Sequence, residues 1–329
     1  MDTELHRTMK KHISARVVIL IALAGVCMLA ASGSIISAQH ASQKVTLALL
    51  GDISLARGVQ PNTDAFSALA VQLSSADLAL ANLESPLDPQ WTPSEQNPST
   101  PAYNLCAPAE RAELLKGWGL DLLSLANNHA FDCSPDGLTQ TVAALGSQNL
   151  IGIRSPSIDG TMSSPYYRNV NGLSLAFLAF DDVTQPIDIE AAAAEVQTAK
   201  NQGALVLVSV HWGAEYQAGA SPRQKEVAQA LAKAGAVLIW GHHPHVLQPS
   251  EWLQTENGST LVFYSLGNAL FDSYGLADTN RSALILVKLD GHGIVDVEAV
   301  PFVIDAINSR VVLANLPEHQ QILSRLKFH

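Results

Sequence analysis

The sequence predicts an α/β domain behind a single apolar helix, and three observations lead to this prediction. From about residue 45, strand-like apolar runs alternate with amphipathic stretches, a pattern typical of α/β folds. Several of these runs end in polar side chains, where such folds build their sites. Residues 17–38 contain no charged residue and are long enough to cross a bilayer as a helix. A chain of 329 residues, 47% of them hydrophobic, can also bury a sizeable core.

Basic residues precede the apolar segment at Arg7, Lys10, Lys11 and Arg16. This asymmetry predicts that residues 1–16 stay in the cytoplasm and that the bulk of the chain is extracytoplasmic. Two interpretations of residues 17–38 remain open, a cleaved signal peptide and an uncleaved signal anchor, and the length favours the anchor slightly. We therefore expect a single-pass protein of the cell membrane, with residues 39–44 as a short linker.

Charge and cysteine content narrow the class of protein further. The net charge of −11 argues against a nucleic-acid partner. Cys106 and Cys133 are the only cysteines after the apolar segment. An oxidising compartment favours a disulfide between them, and two free buried thiols are the alternative.

The first half of the domain is predicted to alternate strands with helices. The predicted strands are short apolar runs at residues 45–50, 78–81 and 121–126. The predicted helices are amphipathic stretches at about 64–73, 108–116 and 135–146. The last of these helices is expected to begin with Ser134 as its N-cap and Pro135 in its first position.

The second half continues the alternation and then closes with a hairpin. Strands are predicted at 173–180, 204–210, 236–240 and 261–265, and helices at about 188–202 and 222–234. Ser221 followed by Pro222 predicts the start of the second helix. The turn signal Asp290-Gly291-His292-Gly293 joins two further strands at 283–289 and 294–303. We expect the domain to cover residues 45–315 and residues 316–329 to form a C-terminal tail.

The polar residues at the strand ends are mostly of metal-ligand types. They are Asp52, Glu84, Asn128, His211, His243 and His245. Nitrogen and oxygen ligands of this kind suit Zn, Mn or Fe better than a thiolate site or an all-oxygen calcium site. The set is large enough for one or two divalent ions, and two ions could share a bridging carboxylate.

Six ordered motifs resemble the signatures of the CapA/PgsA-type family of capsule (poly-γ-glutamate) biosynthesis proteins. They are Gly51-Asp52, Asn82-Leu83-Glu84-Ser85-Pro86, Asn127-Asn128-His129, His211-Trp212-Gly213-Ala214-Glu215-Tyr216, His243-Pro244-His245 and Tyr264-Ser265-Leu266-Gly267-Asn268. The resemblance covers residues 45 to about 272. Because that family is similar to the calcineurin-like metallophosphoesterases, the resemblance implies a four-layer α/β/β/α sandwich.

The resemblance also implies a role for each site residue. Asp52 and His245 would bind a first metal ion, and Glu84 would bridge it to a second ion held by Asn128, His211 and His243. His129 would protonate a leaving group, with Asp132 orienting it, and Arg57 would contact an anionic substrate. Two departures weaken the first position. Ser54 stands where metallophosphoesterases usually have a histidine, and Glu84 replaces the more usual Asp.

Two functions remain open from the sequence. The first is a subunit of a capsule or poly-γ-glutamate assembly machine, with membrane polymer-synthetase subunits as partners. The second is a free-standing extracytoplasmic hydrolase, metal-dependent and acting on a phosphoester or a polymer amide. A degenerate site that only binds an anionic polymer is a weaker third. No role is expected for His242, Asn268 is expected in a structural turn, and Trp212, Glu215 and Tyr216 are either site wall or plain packing.

Overall fold

Two β-sheets carry the fold, and the carboxyl ends of their parallel strands hold the predicted ligands. The computed structural model describes residues 43–91, 103–154, 165–272, 276 and 278–327. Its strands are β1 (Val45–Ile53), β2 (Leu78–Leu83), β3 (Leu87–Asp88), β4 (Ala107–Pro108), β5 (Leu122–Ser124), β6 (Ile151–Ile153), β7 (Tyr166–Val170), β8 (Leu173–Asp181), β9 (Leu205–His211), β10 (Ala236–His242), β11 (Ser250–Thr255), β12 (Gly258–Phe263), β13 (Asn268–Leu270), β14 (Arg281–Asp290), β15 (Gly293–Asp305) and β16 (Arg310–Leu313).

Six α-helices are present in the described residues. They are α1 (Ala70–Ser75), α2 (Ala112–Gly117), α3 (Gly137–Ser147), α4 (Ile189–Asn201), α5 (Pro222–Ala234) and α6 (Leu316–Leu326). Short 3₁₀ turns at Ser67–Leu69 and Ala109–Arg111 lead into α1 and α2. These turns account for most of the difference from the predicted helices at 64–73 and 108–116.

The larger sheet has eight strands and the smaller one six. The order in the larger sheet is β16-β15-β14-β1-β2-β5-β6, with β13 paired to the end of β1. The order in the smaller sheet is β11-β12-β10-β9-β8-β7. Strand β1 is parallel to β2 and antiparallel to β14, so the larger sheet is mixed. The predicted α/β class is therefore confirmed.

Three apolar clusters show how the two sheets and the helices pack. One cluster contains Leu49 of β1 and Leu207 of β9, and therefore lies between the two sheets. The adjacent residue Leu50 belongs to a second cluster with residues of α1, α2 and α3. Val208, adjacent to Leu207, belongs to a third with residues of α4 and α5. Successive strand residues point to opposite faces of the sheet, so each strand contributes side chains to two layers of the core.

The start of helix α3 differs from the prediction. The helix begins at Gly137 and its N-cap is Asp136, without a side-chain capping hydrogen bond. Ser134 instead accepts the Gly137 N–H in a turn through its backbone carbonyl, 2.9 Å away. The disulfide at Cys133 holds the chain in this turn before the helix can begin. The predicted start of α5 is confirmed, because Ser221 and Gln224 form a reciprocal capping box.

The segment expected to be a C-terminal tail forms helix α6. Asn315 caps it by accepting a hydrogen bond from the Glu318 N–H. Ile322 and Leu326 pack into the cluster between the sheets. These two buried side chains anchor the helix to the domain.

The predicted membrane-spanning segment lies outside the described residues. Within the described ranges, no helix combines the length and the apolarity needed to cross a bilayer. The expected span, residues 17–38, is not among the residues that the structure describes.

Strand register brings the polar strand ends together. Asp52 on β1 is paired with Asn82 on β2 and with Asn268 on β13. In the other sheet, His211 on β9 is paired with His242 on β10. The carboxyl ends of parallel strands share one edge of a sheet, so these residues line the same edge of the domain.

Candidate metal centre

Glu84 lies at the centre of the candidate site. Its side chain is fully buried, and among the described residues neither carboxylate oxygen has a hydrogen-bond partner. Three imidazole Nε2 atoms surround Oε1, from His211 at 3.6 Å, His245 at 3.7 Å and His129 at 4.0 Å. These distances are too long for hydrogen bonds. With metal–ligand bonds of about 2.0–2.2 Å, two ligands of one ion lie roughly 3 to 4 Å apart, so the spacing fits a shared cation.

Two clusters of potential metal-binding residues share Glu84. One group is Glu84, His211 and His243, and the other is Asp52, Glu84 and His245. Within each group the candidate ligand atoms lie within 4.8 Å of one another. The carboxamide oxygen of Asn128 lies 2.8 Å from His211 Nε2, at the edge of the group that contains His211 and His243. The residues that the family resemblance assigned to two metal positions are thus brought together, and ion binding itself stays a prediction.

His211 and His243, the candidate ligands of the second ion, are neutral, as metal ligation requires. Burial, with a contribution from His243, holds the pKa of His211 well below its usual value. Burial and the neighbouring His245 lower the pKa of His243 to about 4. The Nδ1 atom of His243 is buried and has no hydrogen-bond partner within the described part of the chain. Both rings are therefore available to a cation at neutral pH.

Asp52 remains ionised despite its complete burial. Asn82 Nδ2 donates to its Oδ1 at 2.8 Å, and the His243 N–H donates to its Oδ2 at 3.1 Å. Burial alone would raise the pKa of Asp52, but the His242 and His245 rings hold it well below its usual range. His242 Nδ1 lies 3.1 Å from Asp52 Oδ1. His242, for which no role was expected, is thus a buried neighbour of a candidate ligand.

His245 is oriented by a residue that was expected only to form a turn. Its Nδ1 lies 2.8 Å from Asn268 Oδ1, and this contact leaves Nε2 to face Glu84. Burial opposes the charge on this ring, but Glu84 and Asp52 outweigh it and raise the pKa of His245 to about 9. Burial also raises the pKa of Glu84, to about 7. The first position, which contains His245, is therefore more strongly protonated than the second, which contains His211 and His243, when no cation is bound.

Ser54 supplies no ligand to the first position. Its hydroxyl is buried 3.3 Å from the hydroxyl of Ser85, which also accepts the Leu55 N–H at 2.9 Å. The pair of hydroxyls stabilises the turn after β1. The imidazole that metallophosphoesterases usually place here has no substitute at this point of the chain.

His129 is held by an acidic partner. Its Nδ1 lies 2.7 Å from Asp132 Oδ2, which also accepts the Leu105 N–H at 2.7 Å. Burial acts to lower the pKa of His129, but the hydrogen bond to Asp132 and the charge of Glu84 raise it overall. Since Nδ1 is occupied, Nε2 is the atom presented to the site. The predicted disulfide between Cys106 and Cys133 is present beside this pair, with a Cα–Cα distance of 4.9 Å.

Arg57 lies at the mouth of the site but already has an acidic partner. Its guanidinium pairs with Asp272 and lies 5.4 Å from the centre of the Phe271 ring. That ring in turn packs 4.8 Å from the ring of His245. The residue is therefore near the candidate ligands, and contact with an anionic substrate stays a prediction.

Two asparagines for which no role was expected, Asn82 and Asn127, connect the strand ends. Asn127 Nδ2 donates to Asn82 Oδ1 at 3.1 Å and to the Leu83 carbonyl at 2.9 Å. The Asn127 Oδ1 accepts the His129 N–H at 3.2 Å. The chain of contacts runs from Asp52 through Asn82 to the His129 loop. Their position at strand ends, the signal that selected Asp52, could have identified them.

Glycines allow the backbone around the site to pack closely. A Cβ on Gly51 would lie 1.9 Å from the carbonyl oxygen of Gly267, and one on Gly241 would lie 2.1 Å from that of Tyr264. The segment after β12 therefore lies directly against the ends of β1 and β10. This contact brings the histidines that follow β10 next to Asp52.

The chain is similar to several proteins named for the biosynthesis of capsule or related polymers. The PGA biosynthesis protein CapA of Bacillus subtilis (strain 168) is 30% identical over 282 residues, 80% of this chain and 72% of that protein. The capsule biosynthesis protein CapA of Bacillus anthracis is 30% identical over 306 residues, 85% of this chain and 72% of that protein. A probable polyglutamine synthesis accessory protein of Mycobacterium tuberculosis is 27% identical over 192 residues, half of each chain.

A solved structure and a family model complete the comparison. The crystal structure of a hypothetical protein from Thermus thermophilus shares the fold, with a TM-score of 0.53 and 18% identity. It covers 78% of this chain and 98% of its own. The model of the family described as bacterial capsule synthesis protein PGA_cap matches residues 46–273. From the ordered strand-end motifs, the relatives and this match, we conclude that the chain belongs to the PGA_cap family of bacterial capsule synthesis proteins.

Proposed function

We propose that this protein is a membrane-anchored, extracytoplasmic and metal-binding component of capsule or poly-γ-glutamate biosynthesis. Family membership supports the biosynthetic role, because two relatives that cover most of the chain are named as capsule and PGA biosynthesis proteins. Such a role implies an anionic polymer as ligand and membrane polymer-synthetase subunits as partners. A four-layer metallophosphatase-like sandwich is the fold we propose for it, supported by the three apolar clusters.

The anchor and the compartment are supported by two independent features. Residues 17–38 are uncharged and follow a basic segment. The disulfide between Cys106 and Cys133 is a bond that persists in oxidising compartments. A cysteine at Ile307, which is 85% exposed, should react with an impermeant maleimide in intact cells. A cysteine at Leu5 should react only after permeabilisation, and the opposite pattern would contradict the proposed orientation.

The metal centre rests on a single observation, the buried carboxylate of Glu84, which has no hydrogen-bond partner within the described part of the chain and has three imidazole nitrogens facing it. An isolated buried carboxylate is costly, and a cation in this gap would offset the cost. Asp52, Glu84 and His245 would hold one ion, and Glu84, Asn128, His211 and His243 the other. A bound divalent ion would supply positive charge to stabilise an oxyanion. Its identity among Zn, Mn and Fe stays open.

Metal analysis of the full-length protein tests this centre. Wild type should retain at least one ion per chain after purification or after reloading with Zn, Mn or Fe. His211→Ala and Asp52→Ala should retain less, and His292→Ala, in an exposed turn, should match wild type. A folded wild-type protein that cannot be loaded would overturn the metal centre and leave the biosynthetic role standing.

Deletion of the gene in its host tests the biosynthetic role. Loss of surface polymer should be restored by the wild-type gene. Complementation by His211→Ala measures whether polymer formation needs the metal centre. Normal polymer in the deletion strain would refute a required role in its synthesis.

A second candidate, a free-standing metal-dependent hydrolase, is favoured by one contact. His129 Nδ1 lies 2.7 Å from Asp132 Oδ2, an arrangement that fixes the ring and presents Nε2 as a proton donor. Phosphoester or polymer amide turnover should then stop on chelation and in His129→Ala. Asp132→Asn should keep the ring in place but lower the pKa of His129, shifting the pH profile to lower values.

A further inference from the structure

The loop that follows β9 brings an additional carboxylate to the metal centre. Glu215 is exposed, and its carboxylate forms a third ligand-type group with the buried His243 and His245. The candidate ligand atoms of this group lie within 4.8 Å of one another. Glu215 therefore faces the two histidines from the mouth of the site.

The two histidines have ligand atoms free for such a group. Asn268 occupies His245 Nδ1 and leaves Nε2. His243 is 6% exposed, and its Nδ1 has no hydrogen-bond partner among the described residues. His243 serves the second position, which already has four candidate ligands, whereas the first position has three, Asp52, Glu84 and His245. The open coordination therefore lies at the first position.

The backbone around Glu215 is fixed on the histidine loop. The Tyr216 N–H donates to the Pro244 carbonyl at 2.8 Å, and the Trp212 N–H donates to the His242 carbonyl at 3.1 Å. The indole N–H of Trp212 also donates to the Tyr264 carbonyl at 2.8 Å. Because the loop is ordered by these bonds, Glu215 loses little backbone freedom when its side chain engages an ion.

We infer that Glu215 is a further metal ligand, the carboxylate that completes the first position in place of the imidazole that Ser54 does not supply. This inference rests on the proposed metal centre and assigns it a ligand outside the strand-end set. The first position then has three carboxylates and one imidazole. The second has two imidazoles, one carboxylate and one carboxamide. Oxygen-rich sites suit Mn²⁺ and nitrogen-rich sites suit Zn²⁺, so the two positions differ in metal preference.

Titration of the full-length protein with Mn²⁺, followed by electron paramagnetic resonance of the free ion, tests the inference. Wild-type protein should bind two Mn²⁺ ions, one of which is lost in Asp52→Ala (first position) and the other in His211→Ala (second position). Glu215→Gln, which keeps the size but removes the charge, should weaken binding at the first position by about tenfold or more and leave the second position unchanged. Glu256→Gln, an exposed glutamate on the β11–β12 turn, is the matched control and should behave as wild type.

The outcomes separate this inference from the metal centre itself. Identical Mn²⁺ binding by wild type and Glu215→Gln would overturn the inference and leave the centre in place. Weakening in Glu215→Gln of the ion that His211→Ala removes would also overturn it, because Glu215 would then serve the second position. A wild-type protein that binds no metal would overturn both. Circular dichroism of each variant should match wild type, since Glu215 is exposed.

Discussion

Asn268 Oδ1 and His245 Nδ1 lie 2.8 Å apart, although Asn268 begins β13 of the larger sheet and His245 follows β10 of the smaller sheet. Asn268 also donates through Nδ2 to the Thr279 carbonyl at 2.9 Å, which fixes the direction of its carboxamide. The oxygen therefore faces His245 and selects the imidazole form that carries hydrogen on Nδ1. A contact of this kind orients a metal ligand without touching the metal.

Replacement of Asn268 by alanine should weaken metal binding at the first position by about tenfold, because His245 loses the acceptor that orients it. Asn268→Asp retains an oxygen toward His245 and should keep most of the affinity. Isothermal titration with Mn²⁺ measures both effects. Wild-type affinity in Asn268→Ala would show that the contact does not position the ligand.

The two positions should lose their ions at different pH values. A cation must displace the proton from His245, whose pKa is raised to about 9 by Glu84 and Asp52 against the effect of burial. His243 has a pKa lowered to about 4 by burial and binds no proton in this range. Affinity at the first position should therefore fall as pH drops from 9 to 7, while the second stays constant.

Below pH 7, protonation of Glu84 should weaken both positions, since burial raises the pKa of this shared ligand to about 7. Metal content after dialysis across pH 9 to 4 measures the sequence of losses. Simultaneous release of both ions in one step would contradict the assignment of His245 and His243 to separate positions.

The disulfide should contribute about 3.5 kcal/mol to the free energy of unfolding. It joins cysteines 27 residues apart, and closing a loop of that size restricts the unfolded chain by roughly this amount. The double variant Cys106→Ser, Cys133→Ser should be less stable than the oxidised wild type in urea denaturation. Adding a reductant should lower the stability of wild type and leave the double variant unchanged. Equal stability of all forms would show that the loop is held by other contacts.

Gly241→Ala should destabilise the domain by at least about 1–3 kcal/mol, because overpacking a closely packed core is costly. The new Cβ would lie 2.1 Å from the Tyr264 carbonyl oxygen and 2.3 Å from the Trp212 indole nitrogen. Gly291→Ala is the matched control, since a Cβ there meets no atom within 4 Å. Thermal unfolding compares the two variants. A Gly241→Ala protein as stable as the control would mean that the segment after β12 moves aside freely.

The strands and the main ligand candidates could be predicted because both depend on local patterns. An apolar run followed by Asp52 or His211 identifies a buried strand and its carboxyl end without knowledge of any partner. The role of Asn268 depends on the pairing of β13 with β1, which no local pattern contains. His242 was likewise given no role, because its contact with Asp52 joins the two sheets.

Helix α6 and strand β7 were not predicted for a different reason. Helix α6 buries only two side chains, Ile322 and Leu326, so its apolar stripe is short. Strand β7 has no fully buried residue and lies at the edge of its sheet. A strand with so little burial leaves a weak alternating signal, although tertiary contacts are sufficient to order it.

The hydrogen bond from the His243 N–H to Asp52 joins residues 191 positions apart in the chain. No short peptide of this protein can therefore assemble the candidate ligand set, in contrast to metal sites built from neighbouring residues. Closing such a long loop is entropically unfavourable until most of the two sheets has formed. A cation would thus be captured by a nearly complete domain and could not nucleate its folding. Metal content would consequently report how much of a preparation has reached the fully assembled state.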